Sequence, residues 1–236
     1  MSTALHDKDI REPLFEFLES SYGKVRIIEE KNMGRSRADV VMVLSECLVG
    51  IEIKSDADTY QRLAGQVKDY DRYYDYNIVV VGTTHALHIG EHVPAHWGII
   101  TVELTDERFD FYFLKKPEQN PNIKLSKKLE ILWRPELAII QERTGMPKYK
   151  EKSKYFVIKK IEEAVPSKIS LSQLNAHISD ILFERDYNTV KETLAEYRKS
   201  ELQKAIDTED DPQKKLELIM EKASRKKAFR KRKKRF

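Results

Sequence analysis

The chain has 236 residues, 40% hydrophobic and 35% charged, with 11 Tyr and 9 Phe. That suits one domain of about 110–150 residues plus a smaller one, with a core under a charged exterior, and excludes wholesale disorder. The net charge of +4 divides unevenly: residues 1–115 hold 13 Lys/Arg against 20 Asp/Glu, residues 116–221 hold 20 against 19, and residues 222–236 hold 10 against none.

Along the chain, DKDIREPLFEFLES (Asp7–Ser20) places Ile10, Leu14, Phe17 and Leu18 at helical spacing, with Asp7 or Asp9 as the N-cap. Lys24–Glu30 and Ala38–Leu44 read as strands joined by the polar turn KNMGRSR. Val49–Lys54 is a third strand, in a hairpin with its predecessor. Asp58–Tyr76 reads as a long helix with Tyr60, Leu63, Val67, Tyr70 and Tyr74 along one side. Asn77–Val81, a near-continuous apolar run, suits a strand buried on both faces, and Gly98–Glu103 and Asp110–Leu114 follow as strands. The order predicts an α/β domain with a mixed sheet over residues 1–115. PEQNPNIKLS is a linker candidate. Beyond it only helical periodicity remains, over Pro135–Arg143, Lys154–Val165, Ser170–Phe183 and Asn188–Arg225, so residues 116–221 read as a helical region and 222–236 as a flexible basic tail. Ser170 with Gln173 forms a capping-box pattern.

The apolar strands carry charges that a buried strand should avoid. Residues two apart share a strand face, so Glu52 and Lys54 project together while Ile51 and Ile53 project oppositely. With Ala38–Leu44 alongside, Asp39 can meet Glu52 at the sheet end. Two such carboxylates form a hard-oxygen site suited to Mg²⁺ or Mn²⁺, and Lys54 supplies positive charge to a phosphate or an attacking water. Phosphodiester hydrolysis is the chemistry that requires all three. A lone E-x-K in so charged a chain carries little weight; order, spacing and apolar flanks together give it meaning.

Asp39, a 12-residue gap, then Glu52-Ile53-Lys54 resembles the D-x(n)-E-x-K core of the PD-(D/E)XK nuclease superfamily, which includes type II restriction enzymes and archaeal Holliday-junction resolvases. The longer string RAD…EIKSDADTYQRLAGQVKDY, with HVPAHWGI, is similar to a bacterial branch of that superfamily over residues 7–104. The resemblance implies a restriction-endonuclease-like mixed sheet flanked by helices, here followed by the helical region and basic tail. It implies that Asp39 and Glu52 hold Mg²⁺ or Mn²⁺, with Lys54 catalytic and Gln66, on the following helix, near the site. Taken alone, Gln66 reads as an ordinary exposed helix residue. Many members place a glutamate on the opening helix; here Arg11 stands at that position. Glu12, Glu29 and Glu30 are the alternatives, with Glu30 preferred. If none serves, the ion rests on Asp39, Glu52 and a strand carbonyl, that of Ile53.

The remaining candidates concern the polymer. Arg37 precedes Asp39, and Arg62, one turn before Gln66, reaches phosphate or pairs with Asp58. Asp56 and Asp58 read as helix caps. His85, His88, His92 and His96 straddle Gly90 and Pro94 without a cysteine, so they read as scattered loop histidines, and Trp97 as packing. SKYFVIKKIEEAVPSKISLSQLNAHISDILF offers two amphipathic helices that pack on the first domain, with a helix-turn-helix as the alternative. In the tail, Lys226, Lys227, Arg230, Lys231, Arg232, Lys233, Lys234 and Arg235 would bind a polyanion through counterion release and tether an acidic domain to it. A single cysteine, Cys47, and an opening segment without a secretory layout suit the reducing cytoplasm, and no apolar run nears the roughly 20 residues of a bilayer span. The expectation is a metal-dependent nuclease acting on DNA, with RNA as the alternative polymer. Double-strand cutting by one site would favour a homodimer. The rival is a non-catalytic nucleic-acid-binding or assembly protein that retains the fold.

Overall fold

The alternation in LVGIEIK sorts one strand's residues onto two chemically opposite faces, and the whole sheet follows that division. The computed structural model describes residues 5–106 and 108–185 and, beyond these, residues 206, 207 and 214. Its elements are α1 (Asp7–Tyr22), β1 (Arg26–Met33), β2 (Ser36–Val43), β3 (Leu48–Lys54), α2 (Leu63–Tyr73), β4 (Tyr76–Gly82), β5 (Gly98–Thr105), β6 (Arg108–Lys115), α3 (Leu125–Glu130), α4 (Arg134–Arg143), α5 (Lys154–Ala164) and α6 (Leu171–Glu184). The strands lie in sequence order in one six-stranded sheet. β1–β2–β3 and β5–β6 pair antiparallel, while β3–β4–β5 pair parallel with α2 as the crossover from β3 to β4. This is the mixed sheet flanked by helices that the sequence predicts.

One face packs against α1. Ile10, Leu14 and Leu18 recur every four residues on that helix and meet Val40, Met42, Val49, Ile51, Ile53, Ile78 and Val80 of the sheet. Phe17 stacks on Phe111 at 5.1 Å between ring centroids, which ties α1 to β6. The other face carries α2; its Tyr70 and Tyr74, the residue that caps its C-terminus, are fully buried and lie directly over Gly50, where a Cβ would overlap both rings. Glycine is required at this point of β3 for close approach, not for an unusual backbone angle.

The structure revises several predicted boundaries. α2 begins at Leu63, not Asp58, because Asp58 is committed elsewhere: its carboxylate accepts from Ser55 N at 2.9 Å and Ser55 Oγ at 2.6 Å, closing a turn. The N-cap of α1 is His6, whose N–H donates back to the Asp9 carboxylate at 3.3 Å; neither Asp7 nor Asp9 is the cap. The Ser170–Gln173 pair does make its reciprocal bonds, 3.1 and 3.2 Å.

PEQNPNIKLS is not a loose linker. Glu118 N donates to His96 O at 2.9 Å, and Lys124 N donates to Arg72 O at 3.0 Å. Asn120 donates through Nδ2 to the Asp71 and Tyr74 carbonyls, 2.8 and 2.7 Å. These are the last carbonyls of α2, which have no partner inside the helix, so the segment acts as its C-terminal cap. α3 follows at once, and its buried Lys128 donates to both Asp75 oxygens, 2.9 and 2.6 Å. Chain up to Glu184 forms one compact unit, and the boundary expected at residue 115 falls inside it. The helices α3–α6 bury apolar side chains of their own, among them Leu129, Leu137, Ile158, Ile161 and Leu174. The tail 222–236 and most of the predicted helix 188–225 lie outside the described residues. No described helix is long and apolar enough to cross a membrane.

Candidate active site

Three neighbouring strands place an acid at one level of the sheet. In β1 and β2 the pairs Glu29–Val40 and Lys31–Ala38 bracket Glu30 and Asp39, which face each other without joining the ladder. The β2–β3 ladder stops at Val40–Ile51, so the next pair would be Asp39 with Glu52. Like charges set side by side across strands destabilise a sheet unless cations offset them. The backbone departs from regularity here: Glu30 adopts a φ of 54°, a left-handed conformation rare for a residue with a Cβ. Where β2 and β3 diverge, the Asp39 carboxylate takes over the lost ladder bond, with its Oδ2 accepting from Ile53 N at 2.9 Å.

Glu52 and Lys54 face α2, with side chains only 2% and 4% exposed, and their charges lie 2.8 Å apart. Gln66, half-buried on the first turns of α2, bridges the pair: its Nε2 donates to Glu52 Oε1, and its Oε1 accepts from Lys54 Nζ at 3.2 Å. Tyr70, one turn further on, donates to Glu52 Oε2 at 2.8 Å or to Ile51 O at 3.0 Å, and accepts from Asp39 N at 3.3 Å. Every Glu52 oxygen is thus fixed before any ligand arrives. Burial, then the nearby Glu52 charge, pushes the Asp39 carboxyl up to about 7, against the opposing pull of Ile53 N–H and Arg11.

These groups line a cavity of about 720 Å³ whose rim carries Arg35, Arg37 and Arg62. Arg35 and Arg37 come from the β1–β2 hairpin, which Asp69 of α2 holds in place by accepting from Arg35 N at 3.1 Å and Ser36 Oγ at 2.7 Å. Arg37 pairs with Glu30. The Asp58 carboxylate is engaged by Ser55, and Arg62 lines the cavity. Of the alternative first acids, Glu12 is exposed on α1 and does not line the cavity, whereas Glu30 does. Glu29 reaches Arg11 from outside at 3.3 Å.

Two participants escaped the sequence reading. Asp7 lines the cavity one helical turn before Arg11, and Tyr70 holds Glu52; their spacings of four from Arg11 and from Gln66 were the available signals. Arg11, seen only as a departure from a pattern, is the most heavily bonded side chain in the site. Its Nε and Nη2 donate to Asp7 at 3.0 and 2.8 Å, Nη2 to Glu30 at 3.0 Å, and Nη1 to Asp39 O at 3.3 Å.

Other candidates separate from the site. His96 is buried with Nε2 3.0 Å from Asp71, Trp97 donates to the same carboxylate at 2.8 Å, His85 Nδ1 pairs with the Tyr60 hydroxyl at 2.8 Å, and His92 stacks on Tyr60. Lys226–Arg235 lie outside the described residues. Among the described residues, no three Asp, Glu, His or Cys side chains converge as ready metal ligands. The donor set that a divalent ion would meet is therefore Asp39, Glu52 and the Ile53 backbone. Two carboxylates set side by side, with burial and then the Glu52 charge raising the Asp39 carboxyl to about 7, fit a hard divalent cation, which would relieve their repulsion.

The sequence profile of the bacteriophage P4 protein cII family matches residues 1–210. No curated protein matches the chain. Among solved structures, SfsA of Pyrococcus furiosus in complex with Ca²⁺ is similar at 13% identity and a TM-score of 0.30, over 50% of this chain and 63% of that one.

Proposed function

The chain belongs to the bacteriophage P4 protein cII family, and on that premise we propose that it is a metal-dependent nuclease-like protein that hydrolyses DNA phosphodiester bonds. The observation that carries the reading is the level row Glu30–Asp39–Glu52, with Lys54 bridged to it by Gln66, at the floor of an arginine-rimmed cavity. Asp39 and Glu52, with the Ile53 carbonyl, would hold Mg²⁺ or Mn²⁺. When bound, such an ion supplies Lewis-acid stabilisation to a phosphate and lowers the pKa of water. Lys54 Nζ is positioned to offset charge developing on a phosphate oxygen, and Gln66, bonded to both Lys54 and Glu52, fixes the orientation of that pair. The exposed arginines at the rim draw in the polyanion, and the basic tail adds affinity independent of sequence.

The test is incubation of supercoiled, linear and branched DNA with Mg²⁺ or Mn²⁺. Cleavage is expected from the wild type, with losses of about 10²–10³-fold in Lys54→Ala and Asp39→Asn. Cleavage unchanged in both variants, or absent from the wild type on every substrate, rejects the enzyme reading. Truncation after Glu221 should weaken DNA binding and flatten its salt dependence.

A second reading is favoured by Arg11, which occupies the region where a further acid is expected. On it, the chain is a DNA-binding protein that keeps the fold without the reaction. Salt-sensitive DNA binding by the wild type without cleavage would select it.

A further inference from the structure

Arg11 has no part in the chemistry just described, yet the site is built around it. Its guanidinium is 13% exposed, anchored on α1 by the i, i+4 partner Asp7, and in contact with acids from both β1 and β2. It donates to the Asp39 carbonyl at 3.3 Å and stands 3.6 Å from Asp39 Oδ1. The row Glu30–Asp39–Glu52 needs compensating charge at two places. Lys54, 2.8 Å from Glu52, supplies it at the inner end, and Arg11, 3.0 Å from Glu30, at the outer end. A guanidinium stays protonated at any pH the protein survives, and its planar fork suits carboxylates presented from several directions.

We infer that Arg11 is a resident cation of this site, filling the place a second divalent ion would take, so that the chain works with one ion held by Asp39 and Glu52. The inference rests on the metal-dependent reading above. A second ion would have to draw on Asp7, Glu30 and the outer Asp39 oxygen, the groups the guanidinium already engages, and would meet its charge at contact distance. A site that carries its own outer cation needs no metal to keep Glu30 and Asp39 together, and its single-ion occupancy is set by sequence.

Calorimetric titration of the full chain with Mn²⁺, checked by elemental analysis and without DNA, tests this. The wild type and Arg11→Lys are expected to bind one ion per chain. Arg11→Gln is expected to bind a second ion, or the first at least about tenfold more tightly, because a charge that opposes the ion is gone. Two ions in the wild type overturn the inference and leave the proposed function standing. So does an Arg11→Gln variant with unchanged stoichiometry and affinity, whereas an ion bound by that variant and not by the wild type overturns both the inference and the metal-dependent reading of the wild type. Mn²⁺ binding by neither protein instead rejects the metal-dependent reading itself. Should circular dichroism show Arg11→Gln unfolded, the wild-type and Arg11→Lys stoichiometries still decide.

Discussion

Tyr70 of α2 and Tyr74 at its C-cap are both fully buried phenols, four residues apart, and their hydroxyls have opposite situations. Tyr70 engages Glu52 and Asp39 N, whereas the Tyr74 hydroxyl is buried with no hydrogen-bond partner among the described residues. Removing an engaged hydroxyl leaves buried groups unsatisfied, while removing an orphaned one relieves a desolvation cost. Tyr70→Phe is therefore expected to destabilise the fold by about 1–3 kcal/mol, and Tyr74→Phe to be neutral or stabilising by about 1 kcal/mol; urea denaturation of the two variants checks the contrast. Cys47 gives a second test. Burial first, then the charge of Asp75, pushes its thiol up to about 11. A raised pKa keeps the thiol neutral and unreactive, so alkylation at pH 8 should run about 100-fold slower than at an ordinary cysteine and climb about tenfold per pH unit up to about 11. Mass spectrometry of timed iodoacetamide reactions measures this; a fast reaction at pH 8 would contradict the assignment.

Individual elements show what sequence could and could not disclose. The alternation in β3 was legible because burial on one face and chemistry on the other impose a period of two, and the convergence of Asp39 on Glu52 followed from pairing. Gln66 was reachable only through the pattern that the sequence resembles, and the structure sets it between Glu52 and Lys54. The true start of α2 was not, because Asp58 forms a turn with Ser55 that periodicity does not register. The part that Arg11 plays was hidden for a similar reason: beyond Asp7 on its own helix its partners come from β1 and β2, and only the assembled sheet shows that they meet. Gly50 belongs to the same class, a glycine explained by rings arriving from 20 and 24 residues away. Gly50→Ala forces Tyr70 and Tyr74 outward and should cost about 1–3 kcal/mol or more, measured as a lowered denaturation midpoint. A shift near zero would mean that α2 rides higher over the sheet.

At the scale of the whole molecule, the sheet and the helices beyond it are coupled through segment 116–124. Asn120 and Lys124 satisfy the final carbonyls of α2, and Lys128 is buried against Asp75 at the start of β4. A fragment ending at residue 115 loses all of these partners and uncovers the α3–α6 side of α2. It is expected to unfold with low cooperativity or to aggregate, whereas residues 1–185 should show a single sharp transition; calorimetry on the two fragments distinguishes them. The missed α3 has the same origin, since its six residues are too few to display a helical repeat.

The two-faced strand β3 bears on how such a protein can be altered. Ile51 and Ile53 hold the fold, but Glu52 and Lys54 are buried charges that the fold does not require, and a close-packed apolar pair in their place is often the more stable arrangement. A library of variants kept only for staying folded would thus drift, at alternate positions of one seven-residue strand, towards a smoother and chemically silent protein. The charges that remain there mark a demand other than folding.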